Sequence, residues 1–371
     1  MDVESKNPRI LRLTPLGDIL ALIEKRVAAC APQESSPEAA RDFTLAENVV
    51  PPRCPPSAIA LCDGFPVDSA SVADAGPYAP VPLPLTTRRI DFGERLPSGT
   101  DAVLPLDSVM LRGHQVEAIA TVAAGEGVLP AGGDATPQQP LRRAGESIRA
   151  VDIAVMRAAG IREVTVRRPR VDVALASDVP SPALDAALMT IMRVAGEAGS
   201  VVTCRSIRLE SSLDDPESDA VISVGGTGNG QRDAAIHALS KLGRLEAHGI
   251  AISPGETAAF GFVGTRPVLL VPGRIDAALA VWLLIGRHLV AALAGGSLAD
   301  RSAMLPLKRK VTSTIGLTEL VPVRCSDGMV EPLASGYLSF ESLSCADGWI
   351  AVADDSEGFA AGTPVAVRPW P

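Results

Sequence analysis

Between residues 171 and 293 the chain repeats one unit: a short apolar run, a loop of small or polar residues, then a helix-length stretch. Residues 171–176 form a compact apolar run, followed by a loop at 177–182 and a helical pattern at 183–198. Val201-Val202 starts a second run, and residues 220–224 make another, followed by a glycine-rich loop and a helix over 233–242. Residues 268–271 make a further run, with the turn Pro272-Gly273-Arg274 and a helix reaching Leu293. Parallel strands cannot be joined by a hairpin, and each needs a crossover, normally right-handed and helical. The repeat therefore predicts a parallel α/β sheet with helices on both faces over residues 169–298.

The flanks follow other rules. Leu16, Ile19, Leu20, Ile23 and Val27 fall on one helical face, with Pro15 suited to the start. Residues 47–135 lack long helical patterns and carry short alternating runs such as 115–122, which predicts a β-rich insert. An amphipathic stretch at 150–159 groups 1–46 with 136–168 as an N-terminal helical and linker subdomain, and Arg167-Arg168-Pro169-Arg170 reads as a linker. Residues 303–371 are rich in turn dipeptides (Asp327-Gly328, Ser335-Gly336, Asp347-Gly348), which predicts a small C-terminal β-barrel. The fold class expected is multidomain α/β.

Composition narrows the function. The chain has 371 residues, a net charge of −9, and only 3 Trp, 2 Tyr and 7 Phe. An acidic surface poor in stacking rings argues against nucleic acid and against an anionic membrane. The apolar stretch near 277–286 is broken by Arg287 and His288, too short for a bilayer span. The N-terminus shows no signal pattern, and six cysteines without a Cys-x-x-Cys predict reduced thiols and a cytoplasmic protein.

The richest local signal is Gly225-Gly226-Thr227-Gly228-Asn229-Gly230-Gln231-Arg232-Asp233, between a strand and a helix. Glycines let backbone N–H groups approach a ligand, and the helix start favours an anion. Gln231 replaces the third glycine of a dinucleotide fingerprint, and no Gly-Lys follows as in a P-loop. The plain alternative is a tight turn. Other loops at strand ends are Ser177-Asp178, which also reads as a helix cap, and Pro272-Gly273-Arg274, where Arg274 either holds an anion or is solvated. Ser253-Pro254-Gly255-Glu256 is a further rim loop or a simple turn.

Taken in order, the pieces resemble the molybdopterin molybdenumtransferase family, of the MoeA and gephyrin E-domain type. Asp63-Gly64-Phe65, residues 96–103, residues 125–134, the 225–233 loop, Pro254-Gly255, Pro272-Gly273, and Ser335-Gly336-Tyr337-Leu338 with Ala346-Asp347-Gly348 each resemble a family segment. The 225–233 loop is also similar to that of molybdopterin adenylyltransferases. The resemblance implies a homodimer in which adenylylated molybdopterin and molybdate give molybdenum cofactor and AMP with Mg²⁺. It implies that Gly225–Gly230, Ser177, Asp178, Pro272, Gly273 and Arg274 hold the pterin. It implies catalytic roles for Asp63, Asp134 and Asp233, with Asp233 as metal ligand, and a molybdate rim at Ser253, Pro254, Gly255 and Ser335. A molybdopterin adenylyltransferase or a molybdoenzyme is the implied protein partner.

Departures bear on the reaction. The family's Lys-Pro-Gly-Lys-Pro turn reads Ser253-Pro254-Gly255-Glu256-Thr257, and its Pro-Gly-Asn-Pro reads Pro272-Gly273-Arg274-Ile275. Leu129 stands where an arginine is expected, Phe92 replaces a threonine, and Ser177-Asp178-Val179 loses one carboxylate. Charged hydrogen bonds contribute about 1.5–3 kcal/mol each, so losing two lysines weakens oxyanion binding by roughly two to four decades. Three readings follow: a divergent transferase, a non-enzymatic cofactor-binding or delivery protein, and an adenylyltransferase-like activity.

Overall fold

The structure, a computed structural model, describes residues 12–176, 181–204, 209–228, 234–298 and 301–371. Its centre is a six-stranded sheet in the order Val201–Thr203, Arg170–Leu175, Ala220–Val224, Arg266–Val271, Ala259–Val263, Arg244–His248. The first four strands are parallel. Ala220–Val224, flanked on both sides, is wholly buried, which is why it reads as an unbroken apolar run.

Side chains alternate between two cores. Val171, Val173, Ile222, Leu269 and Val271 face the helices Leu16–Arg26, Pro182–Glu197 and 275–293. Ala174, Val221, Val268 and Leu270 face Leu209–Asp214 and Ala234–Leu242. Helices on both faces are thus present as expected. The α/β class holds, but the sheet is mixed: Ala259–Val263 and Arg244–His248 run antiparallel at one edge. Gly264, at φ +61°, makes the reversal that feeds Arg266–Val271.

The helical stretch Ile275–Leu293 runs as Ile275–Val281, a π-helical turn Trp282–Gly286, and Arg287–Leu293. At 19 residues it is long and apolar enough to cross a membrane, longer than the sequence suggested, because Arg287 and His288 do not break it. It is 72% buried within the protein, and it forms the central core with Ile19 and Ile23.

Strands Pro32–Ser35, Val164–Arg167 and Thr44–Leu45 form an antiparallel sheet beside the helix Ala150–Ala158. The segment read as an arginine linker is structural instead: Arg168 stacks over Phe43 at 4.7 Å and donates to Ser35 Oγ at 2.7 Å. Residues 58–129 form short antiparallel ladders around their own small cores. In the C-terminal part the order is Ala303–Pro306, Pro364–Pro369, Gly348–Val352, Thr318–Ser326, Met329–Pro332. A bridge from Leu307 to Val330 brings the two ends together, giving the small barrel.

Candidate functional site

The carboxyl ends of the adjacent parallel strands Ala220–Val224 and Arg266–Val271 carry Gly225–Gly228 and Pro272-Gly273-Arg274. These loops are held close: Gly225 N donates to Val271 O at 2.8 Å. Gly225 and Gly226 have φ of +89° and +66°, the left-handed region that favours glycine. A Cβ on Gly225 would lie 3.0 Å from Leu184 Cδ2, and one on Gly226 would lie 2.8 Å from Ala176 Cβ. Packing and backbone shape therefore account for these two glycines. Gly226 also abuts the start of the helix Ala234–Leu242, through Ala235 N. The amides of 226–228 donate to no backbone acceptor among the described residues.

Thr227 joins this loop to the next. It is buried, and its hydroxyl lies 3.1 Å from that of Thr257, in the turn that follows Ser253-Pro254-Gly255. Its carbonyl accepts from His248 Nε2 at 3.1 Å. His248 Nδ1 is buried without a hydrogen-bond partner among the described residues, and the Nε2–H tautomer satisfies the observed contact. Sequence reasoning missed Thr257 and His248, because both contacts join segments more than twenty residues apart.

Ser253, Gly255 and Ser335, expected as part of a molybdate rim, lie beside carboxylates. Ser253 pairs in register with Glu319, which is 5% exposed and accepts from Ser335 Oγ at 2.6 Å and Gly336 N at 2.8 Å. Gly255, at φ +124°, packs against Val281 and Ile252, and Glu256 turns back on the Gly255 amide at 3.1 Å. Arg274 is a fork onto Asp276, at 3.1 and 2.9 Å, with its guanidinium 4.6 Å from the Tyr337 ring. The Asp276 bond holds Arg274 above its ordinary pKa. Asp276 is 3% exposed and also accepts from Leu338 N at 3.4 Å. Arg274 is thus exposed, as the solvated reading has it, but paired with Asp276, and so not a free anion clamp. The signals for Glu319 and Asp276 were a lone acid in the apolar strand Thr318–Ser326 and an acid in a first helical turn.

Asp63 and Asp134 make their contacts within the insert. Asp63 accepts from Arg89 at 3.2 Å and Phe92 N at 2.9 Å, which fixes a local turn. Asp134 is exposed, with its backbone amide on Cys54 O at 3.0 Å. Ser177, Asp178, Asn229, Gly230 and Asp233 lie outside the described residues. Among the described residues no three His, Cys, Asp or Glu side chains gather to hold a metal. The described residues alone do not make a Mg²⁺ site.

The sequence profile of the MoeA N-terminal region, domains I and II, matches residues 14–160. That of a probable molybdopterin-binding domain matches 201–292, and that of the MoeA C-terminal region, domain IV, matches 304–370. The chain belongs to the MoeA family. Among relatives, it is 32% identical over 155 residues to a putative molybdopterin biosynthesis protein of Methanocaldococcus jannaschii, covering 41% of this chain and 36% of that protein. It is 30% identical over 227 residues to molybdopterin molybdenumtransferase 1 of Mycobacterium tuberculosis, covering 54% of this chain and 52% of that protein. The matches thus span about half or less of the length of these curated relatives. In fold, the chain superposes on a MoeA protein of Pyrococcus horikoshii with a TM-score of 0.75 at 21% identity, covering 97% and 100% of the two chains. A molybdenum cofactor biosynthesis protein of Pyrococcus furiosus gives 0.61 at 19% identity with the same coverage. The MoeA-type fold therefore extends along nearly the whole chain.

Proposed function

We propose that this chain acts in molybdenum cofactor biosynthesis by binding a phosphate-bearing molybdopterin at the 225–228 loop. The observation that carries the reading is the Thr227–Thr257 contact, which joins the glycine loop to the 253–257 turn at the carboxyl rim of the sheet. Backbone amides backed by a helix start bind a phosphate without a cationic side chain. His248 fixes the Thr227 carbonyl and so the orientation of those amides. Family membership supports the transferase reaction, in which molybdate exchanges oxide for the pterin's two dithiolene sulfurs with release of water, while water cleaves the phosphoanhydride, leaving the phosphate on the pterin and freeing AMP. In that reaction Mg²⁺ offsets phosphoanhydride charge when bound, and Asp233 is its proposed ligand. A cytoplasmic homodimer with six free thiols completes the proposal.

The rim favours a second reading. Where an oxyanion needs positive charge, the structure has Glu319 and Asp276 buried and Arg274 already paired. A pterin-binding or delivery protein without molybdate insertion fits that electrostatics better. Reconstitution with adenylylated molybdopterin, molybdate and Mg²⁺ separates the two. Molybdate-dependent AMP release establishes the transferase, and retained pterin with AMP at background establishes the binding protein. Absence of pterin binding rejects both.

A further inference from the structure

Arg274 spends its hydrogen bonds along one edge. Its Nε and Nη2 donate to the two carboxylate oxygens of Asp276 at 3.1 and 2.9 Å, and Asp276 is itself 3% exposed. A fork onto a buried carboxylate fixes the plane of the guanidinium. It also offsets the charge, so the flat faces are what Arg274 has left to offer. The guanidinium lies over the Tyr337 ring, 4.6 Å from its centre. Even so, the Arg274 side chain is 62% exposed and Tyr337 is 61% exposed. Tyr337 is held in place from both sides. Its amide donates to Ser335 O at 2.8 Å, and Leu338, the next residue, is buried in the central core.

A circle of contacts ties this pair to the glycine loop. Arg274 follows Gly273, and a Cβ on Gly273 would lie 3.5 Å from the Gly225 Cα. Thr227, in the same loop as Gly225, meets Thr257 at 3.1 Å. Ser253, in the turn before Thr257, stands in register with Glu319. Glu319 accepts from Ser335 Oγ at 2.6 Å and Gly336 N at 2.8 Å, and Tyr337 comes next. Tyr337 meets Arg274 and closes the circle. The pair and the glycine loop thus share one rim.

A guanidinium is planar and weakly hydrated, and it stacks on aromatic faces as a phenol ring does. Stacking of this kind recognises any flat nitrogen heterocycle. We infer that Arg274 and Tyr337 form a stacking platform for the heterocycle of the ligand whose phosphate the 225–228 loop receives: the pyrimidinone ring of the pterin, or the adenine of its adenylylated form. This rests on the pterin reading and adds ring recognition to the backbone amides. Arg274 and Tyr337 are then specificity residues, which favour ring-bearing phosphates through shape and polarisability, with no call on net charge.

The test titrates molybdopterin, and separately AMP, into the full chain and into Tyr337→Leu, Tyr337→Phe and Arg274→Lys, read by calorimetry and by the absorbance of the pterin ring. Tyr337→Leu removes the ring and leaves the Arg274–Asp276 pair, whereas Arg274→Lys keeps the charge and loses the plane. Tyr337 is more than half exposed, so Tyr337→Leu is expected to unfold with the parent protein. The expected result is molybdopterin binding about tenfold weaker in Tyr337→Leu and in Arg274→Lys, with Tyr337→Phe at the parent affinity. Binding lowers the pterin absorbance in the parent chain and Tyr337→Phe, as stacking does, and lowers it less in Tyr337→Leu. A loss confined to AMP assigns the platform to adenine, and a loss for both ligands extends it to both rings. Parent affinity for both ligands in Tyr337→Leu, or in Arg274→Lys, overturns the platform and leaves the pterin reading standing. An equal loss in Tyr337→Phe and Tyr337→Leu makes the hydroxyl the contact and overturns it too. No binding of molybdopterin by the parent chain overturns the pterin reading, and the platform with it.

Discussion

Replacing Gly225 with alanine forces a side chain into the left-handed region, with Leu184 Cδ2 already 3.0 Å from the new Cβ. The backbone penalty is roughly 1–2 kcal/mol, and the expected result is that loss in urea denaturation. Leu184→Ala in the same chain relieves the contact and leaves the backbone penalty. Thr227 calls for a different variant. Thr227→Val keeps shape and burial but loses the hydroxyl that meets Thr257. His248→Leu removes the donor to the Thr227 carbonyl. Each is expected to weaken pterin binding about tenfold, the size of one lost hydrogen bond of ~1.4 kcal/mol. His248→Gln, which keeps an N–H donor, is expected to recover most of that loss in the same titration.

Individual helices show which parts of the fold were legible. The helix Ala150–Ala158 was readable from its periodicity and is closed by a capping box: Asp152 accepts from the Arg149 amide at 2.8 Å. Burial pushes the Asp152 carboxyl up, but hydrogen bonds from the Arg149 side chain and amide, with the charges of Arg142 and Arg149, hold it below its ordinary value. A lowered carboxyl stabilises the fold above its unfolded pKa near 3.9 and loses that contribution as pH falls through the folded value. Asp152→Asn is therefore expected to cost about 1 kcal/mol at pH 7, with the gap to the parent protein closing below pH 4 in a denaturation series. Helices such as Pro182–Glu197 and the strand Ala220–Val224 were legible because burial imposes a period. The edge hairpin was not, because Arg244–His248 mixes charged and apolar residues and the pairing of Ala259–Val263 with Arg266–Val271 is set by Gly264. The site was partly legible for a related reason. Its glycines carry a local mark, whereas Thr257, His248 and Glu319 become neighbours of the loops only through tertiary packing.

Across the molecule, the barrel is joined to the central part by the apolar packing of Leu320, Leu338 and Trp349 and by polar contacts at the rim. Ile252–Ser253 pairs with Thr318 and Glu319, Thr318 N donates to Ala251 O at 2.9 Å, and Glu319 and Asp276 collect the 335–338 segment. Glu319→Ala would leave Ser335 Oγ and Gly336 N without their acceptor, an expected loss of about 2–3 kcal/mol, seen as earlier urea unfolding; Glu319→Gln keeps one acceptor and is expected to lose less. The same seam frames the central claim, that the rim holds a phosphate-bearing pterin through backbone amides. The most direct test is calorimetric titration of molybdopterin into the full chain and into Thr227→Val at matched thermal stability. The account predicts saturable binding by the parent chain and about tenfold weaker binding by the variant. Equal affinity in both chains, or no binding by the parent chain, would contradict it.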